Sequence, residues 1–208
     1  MPSGRASAGP VSSYPPVLAM WLAMTGLMMA PVVYPWLRAL NRVAPGPAAA
    51  VTPFLGGYML AWAGFGAVAA GVHVSLAAMA FPVPFRLEAP ALSAAALMLT
   101  GAYQLTPLKG ACLSHCRSPA GFLLSKWRDG PVGQARMGLE HGLHCLGCCW
   151  ALMALALVVG MGSLAWMGVL MAVMVAETAL PFGARLARPI GAALIVTGVV
   201  VAAMGGPA

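Results

Sequence analysis

Long apolar stretches without any charged residue dominate the chain, and the polar positions lie between them. The charge-free runs cover residues 6–37, 43–85, 89–108, 141–176 and 189–208. A helix needs about 20 apolar residues to cross a hydrocarbon core about 30 Å thick. The runs are uniformly apolar and lack the alternation that a membrane β-barrel requires. The pattern therefore predicts an all-α fold, a polytopic membrane helical bundle.

Helix-breaking residues divide these runs into about six transmembrane helices. Pro45, Pro47 and Pro53 delay the start of the second helix, and the Gly-Met-Gly-Ser sequence at residues 160–163 divides the fourth run. A polar N-terminal lead (residues 1–16) precedes a single transmembrane domain (17–208). The expected spans are 17–37, 54–80, 91–108, 141–159, 164–180 and 189–204.

The long connection at residues 109–140 is expected to lie at the membrane interface. It mixes apolar side chains such as Phe122 and Trp127 with the basic residues Lys126 and Arg128. Such a mixture is typical of segments that lie in the headgroup region.

Composition excludes a soluble globule. Of the 208 residues 61% are hydrophobic and 7% are charged, whereas soluble domains carry about 25% charged residues. With six spans, nine Lys and Arg residues fall on the side of the 109–140 connection and two on the other side. The positive-inside rule then places this connection in the cytoplasm and both termini outside. We expect a bacterial cytoplasmic (inner) membrane.

Residues with metal-binding chemistry are concentrated in residues 112–149, which run from the connection at 109–140 into the fourth span. All five cysteines and three of the four histidines lie there, and they are the candidate metal ligands: Cys112, His115, Cys116, His141, His144, Cys145, Cys148 and Cys149. His141, Cys145 and Cys148 share one helix face, while Cys149 is expected to project elsewhere. A single buried cysteine is usually a small hydrophobe. Thiolates clustered with imidazoles instead favour a site for Cu(I) or Zn(II), or thiol chemistry.

Three weaker candidates lie outside this stretch. Glu177 is the only acid within a predicted span, where an ionised group costs at least about 2.5–3.5 kcal/mol. It could be a metal ligand, a partner of a ligating histidine, or a partner of Arg185. Met24 and Met28 offer soft thioether ligands on the first helix, although methionine also fills gaps between helices.

Several of these motifs resemble an uncharacterised family described as predicted metal-binding integral membrane proteins. The resemblance covers almost the whole chain from about residue 17, and it is most specific at His141-Gly142 and Cys145-x-Gly-Cys-Cys-Trp150. It extends to Gln104-Leu-Thr-Pro-Leu-Lys109, Cys112, Cys116, the first-helix residues Trp21, Met24 and Met28, and later Glu177 and Arg188. The resemblance implies metal binding. His144 stands where members of the family commonly have tyrosine.

The sequence thus indicates an integral membrane protein that handles Cu(I), or alternatively zinc, for transport, delivery or assembly of a metalloprotein. One alternative is a thiol–disulfide oxidoreductase using Cys145 and Cys148 against Cys112 and Cys116, which a reducing cytoplasm disfavours. Another is an accessory subunit of a larger membrane complex. No P-loop, catalytic triad or dinucleotide fingerprint favours an enzyme. The expected partners are the lipid bilayer and a metalloprotein or membrane complex, and no basic-aromatic platform indicates nucleic acid.

Overall fold

The computed structural model describes residues 13–44, 46–79, 90–159 and 164–204. Within these ranges the chain forms eight α-helices and no strand, which confirms the all-α prediction. The helices are α1 (Tyr14–Val43), α2 (Pro47–Ala78), α3 (Pro90–Gln104), α4 (Pro107–Cys116), α5 (Pro119–Lys126), α6 (Gly130–Val159), α7 (Leu164–Ala179) and α8 (Gly183–Met204).

Four of the described helices, α1, α2, α6 and α8, are long and apolar enough to cross a membrane. The apolar helix α7 is shorter, with 16 residues, and α3 has 15. A helix of 16 residues extends about 24 Å at 1.5 Å per residue, which is less than a typical hydrocarbon core. The count of about six membrane crossings therefore stays a prediction.

Except for α7, the helices that correspond to the predicted spans begin earlier than the charge and proline pattern predicts. Pro47 occupies the start of α2, where its missing N–H costs nothing, and α2 continues through Pro53. Pro189 likewise lies inside α8 instead of at its start. Most of the N-terminal lead lies outside the described residues, and so do the break at 160–163 and the end of the second predicted span at residue 80. The position of a proline alone therefore does not predict where these helices begin.

The connection at residues 109–140 is helical over most of its length. It comprises most of α4, all of α5 and the first part of α6, which begins at Gly130 and not at the predicted His141. Thr106 caps α4 by accepting a hydrogen bond from the Lys109 amide. Gly130 adopts a φ of 77°, which glycine tolerates without steric cost. Residues 130–140 are thus the first part of the long helix α6 and not a separate connection.

Helix α6 occupies the centre of the bundle, packed against α2, α3, α4 and α7. Its contact with α2 is close because glycines on both helices remove the side chains that would separate them. A Cβ placed on Gly138 would lie 1.9 Å from the Phe54 carbonyl oxygen, and one on Gly142 would lie 3.0 Å from that of Tyr58. This close approach brings Tyr58 of α2 against the cysteine-bearing part of α6.

Substituting Gly57 by alanine should separate α2 from α6. The new Cβ would lie 1.9 Å from the Ala135 carbonyl oxygen, so one backbone must move. We expect a loss of about 1–3 kcal/mol, the usual cost of overpacking, seen as a lower thermal unfolding midpoint in detergent. In the part of the chain that the structure describes, a Cβ added to the neighbouring Gly56 would have no atom within 4 Å, so this residue is the matched control. Gly56→Ala should be neutral or stabilise the helix by up to about 1 kcal/mol; equal losses for both variants would contradict close α2–α6 packing.

Candidate metal centre

Three cysteine sulfurs meet in the interior of the bundle. The Sγ atoms of Cys116, Cys145 and Cys148 all lie within 4.8 Å of one another, and all three residues are buried. Cys116 ends α4, while Cys145 and Cys148 lie on successive turns of α6. The Cys148 thiol is 3.7 Å from the Cys116 sulfur. These three residues, called the thiol group below, could hold one metal ion.

The other two cysteines differ in their distance from the thiol group. Cys149 is buried with its sulfur 3.3 Å from that of Cys148, so the expectation that it projects elsewhere is wrong. The reason is that neighbouring helices enclose α6 on several sides, so adjacent helix positions both face the interior. Cys112 is half-buried beside Gly147 and is not part of the thiol group. Burial raises the pKa of the Cys112 thiol.

Two aromatic residues that the sequence did not single out contact the thiol group. The Tyr58 hydroxyl lies 3.2 Å from the Cys145 sulfur, within hydrogen-bonding distance. The Trp36 indole N–H donates a 2.9 Å hydrogen bond to the backbone carbonyl of Cys116. Trp36 therefore ties α1 to the end of α4, and both aromatic side chains help to enclose the sulfurs.

His141 lies fully buried one turn before Cys145 on α6. Its imidazole ring stacks on Trp36, with ring centroids 3.7 Å apart, and on Tyr58 at 5.4 Å. In the part of the chain described, neither ring nitrogen has a hydrogen-bond partner. An unpaired buried polar group costs about 1–3 kcal/mol, so such groups are uncommon without a functional reason. The stacked ring is thus held in place while its nitrogens remain available.

His115 and His144 form a second stacked pair closer to the surface. Their ring centroids are 3.7 Å apart with an angle of 14° between the planes, and both residues are half-buried. His144 Nδ1 lies 2.8 Å from the Glu140 carbonyl oxygen, to which it can donate. Burial, reinforced by neighbouring His144, lowers the pKa of His115. The neutral imidazole is the form that binds metals.

A buried ion pair joins α4 to α7. Lys109 Nζ lies 2.6 Å from Glu177 Oε2, and each side chain is only 1% exposed. Gln104 completes this polar cluster by donating to Glu177 Oε1 at 3.1 Å and accepting from Lys109. The partner of Glu177 is therefore Lys109 and not Arg185. Each carboxylate oxygen of Glu177 thus has a hydrogen-bond partner in this polar cluster, and Glu177 is not among the residues of the thiol group.

Arg117, which follows Cys116, fastens the other end of α4. Its guanidinium donates to the backbone carbonyl of Glu177 at 2.6 Å and to that of Pro181 at 2.7 Å. A Cβ on Gly183 would lie 2.5 Å from Arg117 Nη1, so this contact depends on glycine. Helix α4 is thus attached at both ends to the last turn of α7 and the turn after it.

The methionine candidates lie in the hydrophobic core. Met24 and Met28 are both buried on α1, within the same core cluster that contains Cys145 and Cys148. Their thioethers fill space between helices, which is the common use of methionine. A role for them as ligands stays a prediction.

A family model described as "PpoB2: Copper chaperone" matches residues 18–201, nearly the whole chain. The chain belongs to the PpoB2 copper chaperone family. No curated protein and no solved structure matches it. Membership of the PpoB2 family supports association with copper and interaction with a metalloprotein partner.

Replacing Lys109 by methionine should leave Glu177 unpaired in the interior. Breaking a buried ion pair from one side costs about 3–5 kcal/mol, which a lower thermal unfolding midpoint would show. The double variant Lys109→Met/Glu177→Met should recover most of this loss, since it removes both charges. Lys126→Met is the matched control, because its pair with Glu140 is partly exposed at 3.4 Å and is worth at most about 1 kcal/mol. A double variant as unstable as the sum of its single variants would contradict the pairing.

Proposed function

We propose that this protein is a membrane-embedded copper chaperone that holds Cu(I) at the thiol group and delivers it to a metalloprotein. The observation that carries the proposal is the meeting of three buried sulfurs within 4.8 Å in a member of a copper chaperone family. The sulfurs come from two separate helices, so the folded bundle is needed to assemble them.

The donor set supports Cu(I) over harder or four-coordinate metals. Soft thiolate ligands select Cu(I), which is satisfied by two or three of them. A structural Zn(II) site closes with four ligands at about 2.0–2.3 Å. The Glu177 carboxylate is paired with Lys109 and Gln104 and is not part of the thiol group, so the group has no hard oxygen ligand. The three sulfurs of the thiol group therefore suffice for Cu(I), whereas Zn(II) would also need a fourth ligand such as Cys149 or His141.

Spare ligands beside the thiol group support transfer over permanent storage. Cys149 places a fourth sulfur 3.3 Å from Cys148, and His141 offers unpaired nitrogens one turn before Cys145. A metal held by few ligands can change them one at a time, because each new donor binds before the previous one leaves. Such stepwise exchange is what a chaperone needs to release its cargo.

The membrane location and the orientation are part of the proposal. Four long apolar helices support a bilayer environment, and the excess of Lys and Arg on one side supports termini outside the cytoplasm. In that orientation the reducing cytoplasm keeps the cysteines as thiols, the form that binds Cu(I).

A second candidate function follows from the same sulfur contacts. Cys148 lies 3.3 Å from Cys149 and 3.7 Å from Cys116, so a thiol–disulfide oxidoreductase is the alternative. All three sulfurs are buried, however, whereas redox-active cysteines are usually accessible to their partners.

The thiol group can be tested by Cu(I) competition titration of the full chain, purified in detergent without oxygen and with a reductant. The wild-type protein should bind one Cu(I), and X-ray absorption should show two or three sulfur-dominated ligands. Cys145→Ser/Cys148→Ser should weaken binding by more than roughly 100-fold, the upper range for losing even an outer partner. Cys112→Ser, outside the thiol group, is the matched control and should bind as the wild type does.

Two outcomes would contradict the proposal. Unchanged copper affinity in the double serine variant would show that the metal is bound elsewhere. A wild-type protein that binds no copper but forms a reversible disulfide between Cys148 and a neighbouring cysteine would favour the oxidoreductase.

A further inference from the structure

Three histidines lie in a row between the surface of the bundle and the thiol group. The outer two, His144 and His115, are half-buried and stacked 3.7 Å apart. The inner one, His141, is fully buried, and its ring centroid is 6.4 Å from that of His115. Cys145 follows His141 by one turn of α6. The row therefore leads from the surface to the first sulfur of the thiol group.

Three ring nitrogens along this row are buried without a hydrogen-bond partner inside the described protein. His115 Nε2 and both ring nitrogens of His141 are buried without a hydrogen bond. His144 Nδ1 is used by the Glu140 carbonyl, so a hydrogen on Nδ1 leaves the lone pair on Nε2. Buried polar groups are almost always paired, and repeated exceptions at one place call for an explanation. A metal cation that visits these nitrogens would supply the missing partner.

The outer end of the row lies in charged surroundings. The partly exposed ion pair of Lys126 and Glu140 marks this end, and both residues interact electrostatically with His115. The inner end is enclosed by Trp36, whose indole lies flat on His141. The row thus connects a polar surface with an apolar interior, as a metal entry route requires.

We propose that His115 and His144 form an outer copper-accepting site from which Cu(I) passes by way of His141 to the thiol group. This proposal rests on the proposed function. In the stacked arrangement the lone pairs of the two rings lie in parallel planes and do not converge. Accepting a metal therefore requires one ring to turn, and within the described residues His115 Nε2 has no hydrogen bond to break when it does.

The transfer is a ligand exchange without oxidation or reduction. Copper remains Cu(I) throughout. At each step a new donor bond to copper forms and an imidazole nitrogen–copper bond breaks. When a thiol becomes a ligand it loses its proton, which the nitrogen that the metal has left can accept.

The route can be tested by stopped-flow measurement of Cu(I) loading on the full-length protein in detergent, with a Cu(I)–chelator complex as the donor. His115→Ala/His144→Ala should slow loading by roughly tenfold or more, the lower range for loss of an outer partner of a metal site. Its equilibrium affinity for Cu(I) should stay that of the wild type. His73→Ala is the matched control, because His73 is another buried histidine with an unpaired Nδ1, placed on α2; it should load at the wild-type rate.

A second variant distinguishes loss of the ligating nitrogen from misfolding at this position. His144→Tyr retains an aromatic ring that can stack on His115 and lacks the ligating nitrogen, so it should also load slowly. An unchanged loading rate in both variants would overturn the entry route. A parallel loss of equilibrium affinity would also overturn it, because the histidines would then be ligands of the holding site itself.

A third measurement separates this inference from the proposed function. In a Cys116→Ser/Cys145→Ser/Cys148→Ser background the outer pair should still bind Cu(I), more weakly and with nitrogen ligands in the X-ray absorption spectrum. Removing His115 and His144 as well should abolish that signal. Absence of nitrogen-bound copper in the triple serine variant would overturn the outer site, whereas failure of the proposed function would appear as wild-type protein without sulfur-bound copper.

Discussion

The ion pair between Lys109 and Glu177 anchors the first turn of the short helix α4 to α7 in the interior of the bundle. Two charges inside an apolar bundle are tolerated only when they neutralise each other and are hydrogen-bonded, as Gln104 ensures here. Since Cys116 ends the same helix, the pair also fixes the position of one of the three sulfurs. The Lys109–Glu177 ion pair at the start of α4 thus helps to position the Cys116 sulfur at its end.

Much of the fold follows from the apolar runs. In an apolar environment the backbone N–H and C=O groups must pair with one another, and a helix achieves this within one segment. The helix boundaries do not follow, because neither a charged residue nor a proline necessarily ends a helix. The polar residues Arg136 and Glu140 lie within α6, and Pro53 and Pro189 lie inside helices. A helix can continue beyond its apolar part wherever neighbours or water satisfy its polar side chains.

The site was partly predictable from the spacing of its residues along one helix. Helical spacing alone places Cys145 and Cys148 on one face, and both lie in the thiol group. Spacing carries no information about contacts between helices that are distant in the chain. The inward position of Lys109 and the contacts of Trp36 and Tyr58 with the cysteines could therefore be seen only in three dimensions. One signal was available: a single acid within the predicted spans requires a basic partner.

The depth of the thiol group has a consequence for its chemical durability. Cys116, Cys145, Cys148 and Cys149 are each at most 5% exposed, in a core of aromatic and aliphatic side chains. Oxidation of cysteine to sulfenic and higher acids follows accessibility as well as thiolate character. Peroxide and other water-soluble oxidants therefore have little access to these sulfurs. The apolar packing that surrounds the sulfurs thus also protects them from irreversible oxidation.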